Sequence, residues 1–138
     1  MSSIQLTAKI ENMEILVQSV SSFAGNLGFT ARRIREIELA VEEALVNIIN
    51  YAYPDGEGDI KVTCTREDSR ALVIEIEDTG VAFDLMSLKE PDISADISER
   101  QVGGLGIFLI RKLMNEVKYR RKHNRNVLTL VAYPTDRT

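Results

Sequence analysis

The sequence predicts an α+β protein: a two-layer sandwich in which a mixed, mostly antiparallel sheet carries helices on one face. Three observations point there. The predicted elements run β-α-α-β-β, then an irregular segment, then α-β-β. The strand patterns at 59–77 and 117–132 come in pairs joined by turns too short for a crossover helix, which makes the paired strands antiparallel neighbours. One helix, through Glu38-Leu-Ala-Val-Glu-Glu-Ala-Leu-Val-Asn-Ile-Ile-Asn-Tyr51, is apolar around most of its circumference and must therefore be largely covered.

Taken in order, Ile4, Leu6, Ala8 and Ile10 alternate with polar residues and predict a strand over about 3–9. Glu11-Asn12 opens a helix with Met13, Leu16, Val17, Val20, Phe23 and Ala24 at helical spacing, closed by Asn26-Leu-Gly28. Thr30 is suited to cap the second helix, which runs to about Tyr53 before Pro54-Asp-Gly-Glu-Gly58 turns the chain. Two strands follow, Asp59 to Glu67 and Ala71 to Glu77, with a tight turn at Asp68-Ser69. The second runs directly into Asp78-Thr-Gly80-Val-Ala82. Residues 83–102 begin with a short helical pattern and then lose all period, and an irregular stretch of that length in a compact domain is usually functional. Gly103-Gly-Leu-Gly106 opens a third helix through Ile107, Ile110, Leu113 and Met114. Val117–Lys122 and Val127–Ala132 form a closing hairpin around His123-Asn-Arg-Asn126.

Composition narrows the function. The 138 residues suit a single domain spanning 1–138, and 44% hydrophobic with 28% charged residues is ordinary for a globular protein. A net charge of −4 argues against direct nucleic-acid binding, so the basic run Lys118–Arg125 reads as a solvated sheet edge. The single cysteine, Cys64, sits in an alternating apolar pattern as a buried filler. Met-Ser-Ser-Ile-Gln-Leu-Thr lacks the layout of a signal peptide, and no apolar run approaches the roughly 20 residues of a membrane span. A cytoplasmic protein without membrane contact is expected.

Three patterns carry chemistry. Glu43 and Asn47 stand four residues apart, on one side of the apolar helix. Asp78-x-Gly80-x-Ala82 follows a strand. Gly103-Gly-Leu-Gly106 precedes a helix, where free backbone N–H groups and the dipole favour phosphate. Singly, each has an ordinary structural explanation: a satisfied polar pair, a strand-end turn, a helix start needing unusual backbone angles. There is no Gly-x-x-x-x-Gly-Lys-Ser/Thr, which excludes a P-loop.

In this order, with a loop between the last two, the set resembles the Bergerat or GHKL ATP-binding fold of gyrase, histidine kinases and mismatch-repair ATPases. Glu43-Ala-Leu-Val-Asn47 is similar to its N box, Asp78-Thr-Gly-Val-Ala82 to its first glycine box and Gly103-Gly-Leu-Gly-Ile107 to its second. Within that family the chain looks most like the bacterial anti-sigma-factor serine/threonine kinases. The resemblance implies ATP and Mg²⁺ as cofactors, an ATP lid over about 83–102, and Asn47 as the sole protein ligand of Mg²⁺. A neutral amide oxygen suits that hard cation, which keeps several waters. Asp78 would accept from the adenine amino group, which a carboxylate cannot do for a guanine carbonyl. Gly80 and Ala82 would let the backbone approach the base; Ala82 stands where a second Gly is frequent. Gly103, Gly104, Leu105, Gly106 and Ile107 would cradle phosphate, with Arg100 and Tyr51 as further nucleotide contacts. Glu43 would act as the catalytic base on an attacking hydroxyl, either of a protein Ser/Thr or of water. The only histidine, His123, falls in a predicted turn, which disfavours a self-phosphorylating histidine kinase. The implied partners are a small anti-anti-sigma protein of STAS type and a sigma factor or analogous regulator, with a homodimer formed through the first strand. Two other readings stay open: a non-catalytic, ATP-gated interaction module, and an ATPase with water as acceptor.

Overall fold

The structure is a computed structural model, and it describes residues 1–68, 70–82 and 104–134. Five strands, β1 (Ser2–Thr7), β2 (Asp59–Arg66), β3 (Leu72–Asp78), β4 (Glu116–Lys122) and β5 (Arg125–Ala132), form one sheet in the order β1-β2-β3-β5-β4. All four pairings are antiparallel. Among the described residues three helices, α1 (Met13–Asn26), α2 (Ala31–Tyr51) and α3 (Gly104–Leu113), cover one face. The α+β sandwich expected from the element order is the architecture found.

The helix ends follow from local chemistry. Leu27 caps α1, Gly28 takes φ +87°, and the bonds Gly28 N to Gly25 O (3.0 Å) and Phe29 N to Ala24 O (3.1 Å) close a Schellman turn. Thr30 caps α2 as expected: its side-chain oxygen accepts from Arg33 N at 3.1 Å. On α2, Ile37, Ala40, Val41, Ala44, Leu45 and Ile48 recur at helical spacing and are buried against the sheet and the flanking helices. Arg33 is buried at 3% exposure, and its guanidinium donates to Leu113 O (2.6 Å), Asn115 Oδ1 (2.7 Å), Tyr133 O (3.0 Å) and Glu36 (3.1 Å). One side chain thereby ties the start of α2 to the end of α3 and to the exit of β5.

The pleat sorts the sheet into rows. On the helix face, Val117, Leu130, Ile74 and Cys64 lie across four strands, and Tyr119, Leu128, Ile76, Val62 and Ile4 form the next row. Cys64 is buried filler as expected, and burial pushes its thiol up to about 11. The third row is different: Arg121, Asn126, Asp78, Ile60 and Leu6. Here the apolar layer gives way to polar residues on three adjacent strands.

Boundaries differ from the sequence reading in three places. β1 stops at Thr7 because Ala8 N bonds Gly58 O (2.8 Å) and a single 3-10 turn, Ile10–Asn12, leads into α1. α2 stops at Tyr51 because Tyr53 is drawn away: its phenol donates to Asp59 O (2.6 Å) and accepts from Thr79 N (2.9 Å). The β4–β5 turn is two residues, not four. His123 and Asn124 adopt φ +50° and +63°, the mirror-image turn that suits strand twist, so Arg125 and Asn126 belong to β5.

Candidate functional site

The polar row faces the C-terminal half of α2 and borders a small pocket lined by Asn47, Ile48, Ala52, Ile76, Asp78, Tyr119, Asn126 and Leu128. Its walls are mainly apolar, with a few convergent polar atoms.

Asp78, the last residue of β3, is 5% exposed. Its Oδ1 accepts from Gly80 N (2.9 Å) and from Asn126 Nδ2 (2.8 Å), while no described group bonds Oδ2. Burial raises the carboxyl above its ordinary range, and the bonds from Asn126 and Gly80, with the Arg121 charge, pull the other way. A carboxylate set in an apolar pocket with one oxygen still able to accept is suited to a ligand N–H donor.

Asn47 is 1% exposed on α2. Its Nδ2 donates back to Glu43 O at 2.7 Å, and its Oδ1 is buried with no hydrogen-bond partner among the described residues. An orphaned buried acceptor costs about 1–3 kcal/mol unless something fills it. A hard, neutral oxygen on a residue that lines a pocket fits the demand of Mg²⁺ for oxygen ligands. The structure thus brings Asn47 and Asp78, 31 positions apart in sequence, to one pocket. Glu43 lies one turn back along α2, partly exposed and outside the described lining.

The turn after Asp78 is seated on the end of α2. Val81 N donates to Ala52 O at 2.8 Å. A Cβ on Gly80 would lie 2.2 Å from that same oxygen, so the close approach to α2 already requires glycine here. Ala82 is exposed. Tyr51 ends α2 and does not line the pocket; Ile48 and Ala52 do. Gly104, Leu105 and Gly106 form the first turn of α3. The side chain of Ile107 is core, at 1% exposure, so only its backbone could take part in the expected nucleotide cradle. Arg100, Gly103 and the expected lid at 83–102 lie outside the described residues.

Three residues of the site escaped sequence reasoning: Tyr119, Arg121 and Asn126. The run Lys118–Arg125 was expected to be a solvated edge. The exposed face bears that out, with Arg120 near Glu75 and Arg125 near Glu77, both at 3.8 Å. Arg121, however, is on the helix face and donates to Gly80 O (2.7 Å) and Asn126 Oδ1 (3.1 Å). The alternation Val117, Tyr119, Arg121 was the available signal. The register that sets Asn126 opposite Asp78 has no such local mark. No helix among the described residues is long and apolar enough to cross a membrane.

The family described as histidine kinase-like ATPase domain matches residues 6–132. A protein of Listeria monocytogenes serovar 1/2a named serine-protein kinase RsbW is 34% identical over 121 residues, covering 84% of this chain and 76% of its own. A Bacillus thuringiensis protein of the same name is 30% identical over 128 residues, covering 90% and 79%. The crystal structure of the RsbU and RsbW domains of a Mycobacterium tuberculosis protein superposes with TM-score 0.66 at 14% identity; it covers 96% of this chain, which spans 32% of that one. The histidine kinase domain of a blue-light activated kinase from Erythrobacter litoralis gives TM-score 0.55 at 17% identity, covering 88% of this chain and 60% of that one. The family match runs from within β1 to the last residue of β5, and the chain therefore belongs to the histidine kinase-like ATPase domain family.

Proposed function

We propose that this chain is an ATP-dependent serine/threonine protein kinase that acts as an anti-sigma regulatory switch, phosphorylating a Ser or Thr of a small anti-anti-sigma partner of STAS type. The observation that carries the reading is the buried Oδ1 of Asn47, without a partner among the described residues, on a pocket that Asp78 also lines. The relatives named serine-protein kinase support phosphotransfer to protein.

In this reading Asp78 accepts from the adenine amino group, and Ile48, Ala52, Ile76 and Leu128 exclude water from the base. Asn47 holds Mg²⁺, which supplies charge neutralisation at the phosphates. Gly103–Ile107, at the start of α3, present backbone N–H groups to phosphate, with Arg100 as a further contact. Glu43 takes the proton of the attacking hydroxyl as its oxygen bonds to the γ-phosphorus; the bond to the β-phosphate oxygen breaks and ADP leaves. A sigma factor or analogous regulator is the second partner. A homodimer through β1 fits that strand's place at the sheet edge. The cytoplasm is the compartment proposed.

One observation favours a second reading, an ATP-gated interaction module without catalysis: Glu43 stands outside the described pocket lining. The two separate on one experiment. γ-Labelled ATP and Mg²⁺ are incubated with a soluble extract of the source organism and either wild type or Glu43→Gln. A small acid-stable labelled band with wild type, reduced at least about 100-fold by the substitution, is expected for loss of a general base. Equal labelling by both proteins removes Glu43 from the role, and no labelling with Mg²⁺-dependent ATP binding intact favours the module.

A further inference from the structure

Asn126 is a buried amide with every hydrogen-bonding position filled. Its Nδ2 donates to Asp78 Oδ1 (2.8 Å) and to Val81 O (2.8 Å), and its Oδ1 accepts from Tyr119 Oη (2.5 Å) and Arg121 Nη1 (3.1 Å). The amide has one orientation open to it. A guanidinium only donates and a backbone carbonyl only accepts, so the flipped amide would set donor against donor at Arg121 and acceptor against acceptor at Val81. Tyr119, Asn126 and Asp78 are therefore linked in a fixed direction across β4, β5 and β3, with Arg121 also holding Gly80 O at 2.7 Å.

The consequence falls on Asp78. Both bonds that the described residues make to its carboxylate go to Oδ1, from Asn126 Nδ2 and Gly80 N. They fix the rotation of the carboxylate and leave Oδ2 as the atom free to accept in the pocket. Were Asn126 absent, Oδ1 would keep only the Gly80 bond, and the two oxygens would become more nearly interchangeable.

We infer that Asn126, held by Tyr119 and Arg121 of the edge strand, is a positioning residue that aims Asp78 Oδ2 at the ligand and thereby sets the site's preference for a purine bearing an exocyclic amino group. The inference rests on the proposed adenine reading of the pocket and adds the residue that enforces it. It also makes β4, whose other basic side chains face solvent, part of the specificity apparatus.

The test uses the full chain and two probes, MgATP and the magnesium complex of purine riboside 5′-triphosphate, which lacks the 6-amino group. Both are titrated calorimetrically into wild type, Asn126→Ala, Asn126→Ser and Asp78→Asn. Asn126→Ala is expected to weaken ATP on the order of tenfold, the worth of a hydrogen bond to a charged group, and to leave the desamino nucleotide within about twofold. Asn126→Ser, which keeps a donor toward Asp78, restores part of the loss for ATP alone. Equal weakening of both nucleotides, or of neither, overturns the inference, because loss of pocket structure does not depend on the 6-amino group. If Asn126→Ala does not fold, Tyr119→Phe is read the same way: a smaller loss confined to ATP is expected, and an equal loss for both probes, or none, overturns it. Asp78→Asn separates the two levels. If it leaves the preference for ATP intact, the adenine reading itself fails; if it abolishes that preference while Asn126→Ala does not, only the role of Asn126 fails.

Discussion

Asn47→Ala is expected to make the protein more stable and unable to respond to MgATP. The side chain makes one described bond, from Nδ2 to Glu43 O at 2.7 Å, and leaves Oδ1 buried without a partner among the described residues. Truncation removes an orphaned acceptor costing about 1–3 kcal/mol and loses a bond of about 1 kcal/mol. The helix interior gains about 0.5 kcal/mol from Ala over Asn. The vacated volume opens onto the existing pocket, so the packing loss is small. The balance is a stabilisation of about 1 kcal/mol, which for 138 residues raises Tm by about 3 °C. Wild type in MgATP at 100 times Kd gains about 2.7 kcal/mol, or about 9 °C, by mass action. The variant is expected to gain less than about 2 °C under the same conditions, since binding weakens when the metal loses its protein ligand. Differential scanning calorimetry with and without nucleotide measures both. An apo Tm several degrees lower, together with an intact response to MgATP, would refute the argument that the orphaned oxygen is held for a ligand.

Three further substitutions follow from the geometry. Asp78→Asn keeps an acceptor for Gly80 N and Asn126 Nδ2 while removing a buried charge, so it is expected to raise apo stability at pH 7 and weaken ATP. Because burial raises the Asp78 carboxyl in the fold, its contribution to stability is fully present below its unfolded value and is lost as pH rises through the folded one. The stability gap between variant and wild type should therefore narrow on acidification, and urea midpoints measured from neutral to acidic pH check it. Arg33→Ala leaves Leu113 O and Tyr133 O without their side-chain donor and is expected to cost about 3 kcal/mol in urea unfolding; Arg33→Lys recovers little, because an ammonium cannot span the same fork. Gly80→Ala sets a methyl 2.2 Å from Ala52 O and is expected to cost about 1–3 kcal/mol, with weaker ATP binding because the turn that follows Asp78 must shift.

Much of this was readable in one dimension, and the reason is that periodicity and capping act over a few residues. The nearly all-round apolar run from Glu38 to Tyr51 marked α2, Thr30 and Gly28 marked helix ends, and Ile60, Val62 and Cys64 marked a half-buried strand. Glu43 and Asn47 stood out because their residue types conflict with their apolar surroundings, and spacing alone put them on one side of α2; Asp78 stood out as the head of a glycine-bearing segment directly after a strand. Whether a residue near those motifs faces the ligand or the core was another matter. Ile107 sits inside a motif yet fills the core, and Gly80 is glycine because of Ala52.

What only the tertiary structure decided is the register across β3, β5 and β4. Sheet partners are chosen by long-range pairing, and β5 reaches its place between β3 and β4 after the intervening segment and α3. A shift of one residue would have turned Asn126 and Arg121 to the outer face beside Glu75 and Glu77. A mirror-image turn at His123-Asn124 sets the pairing that puts Arg121 opposite Asn126, and the β3–β5 ladder sets Asn126 opposite Asp78. The local pattern marked Asn47 and Asp78 as candidates; the pairing of distant strands chose the neighbours that hold the Asp78 carboxylate in place.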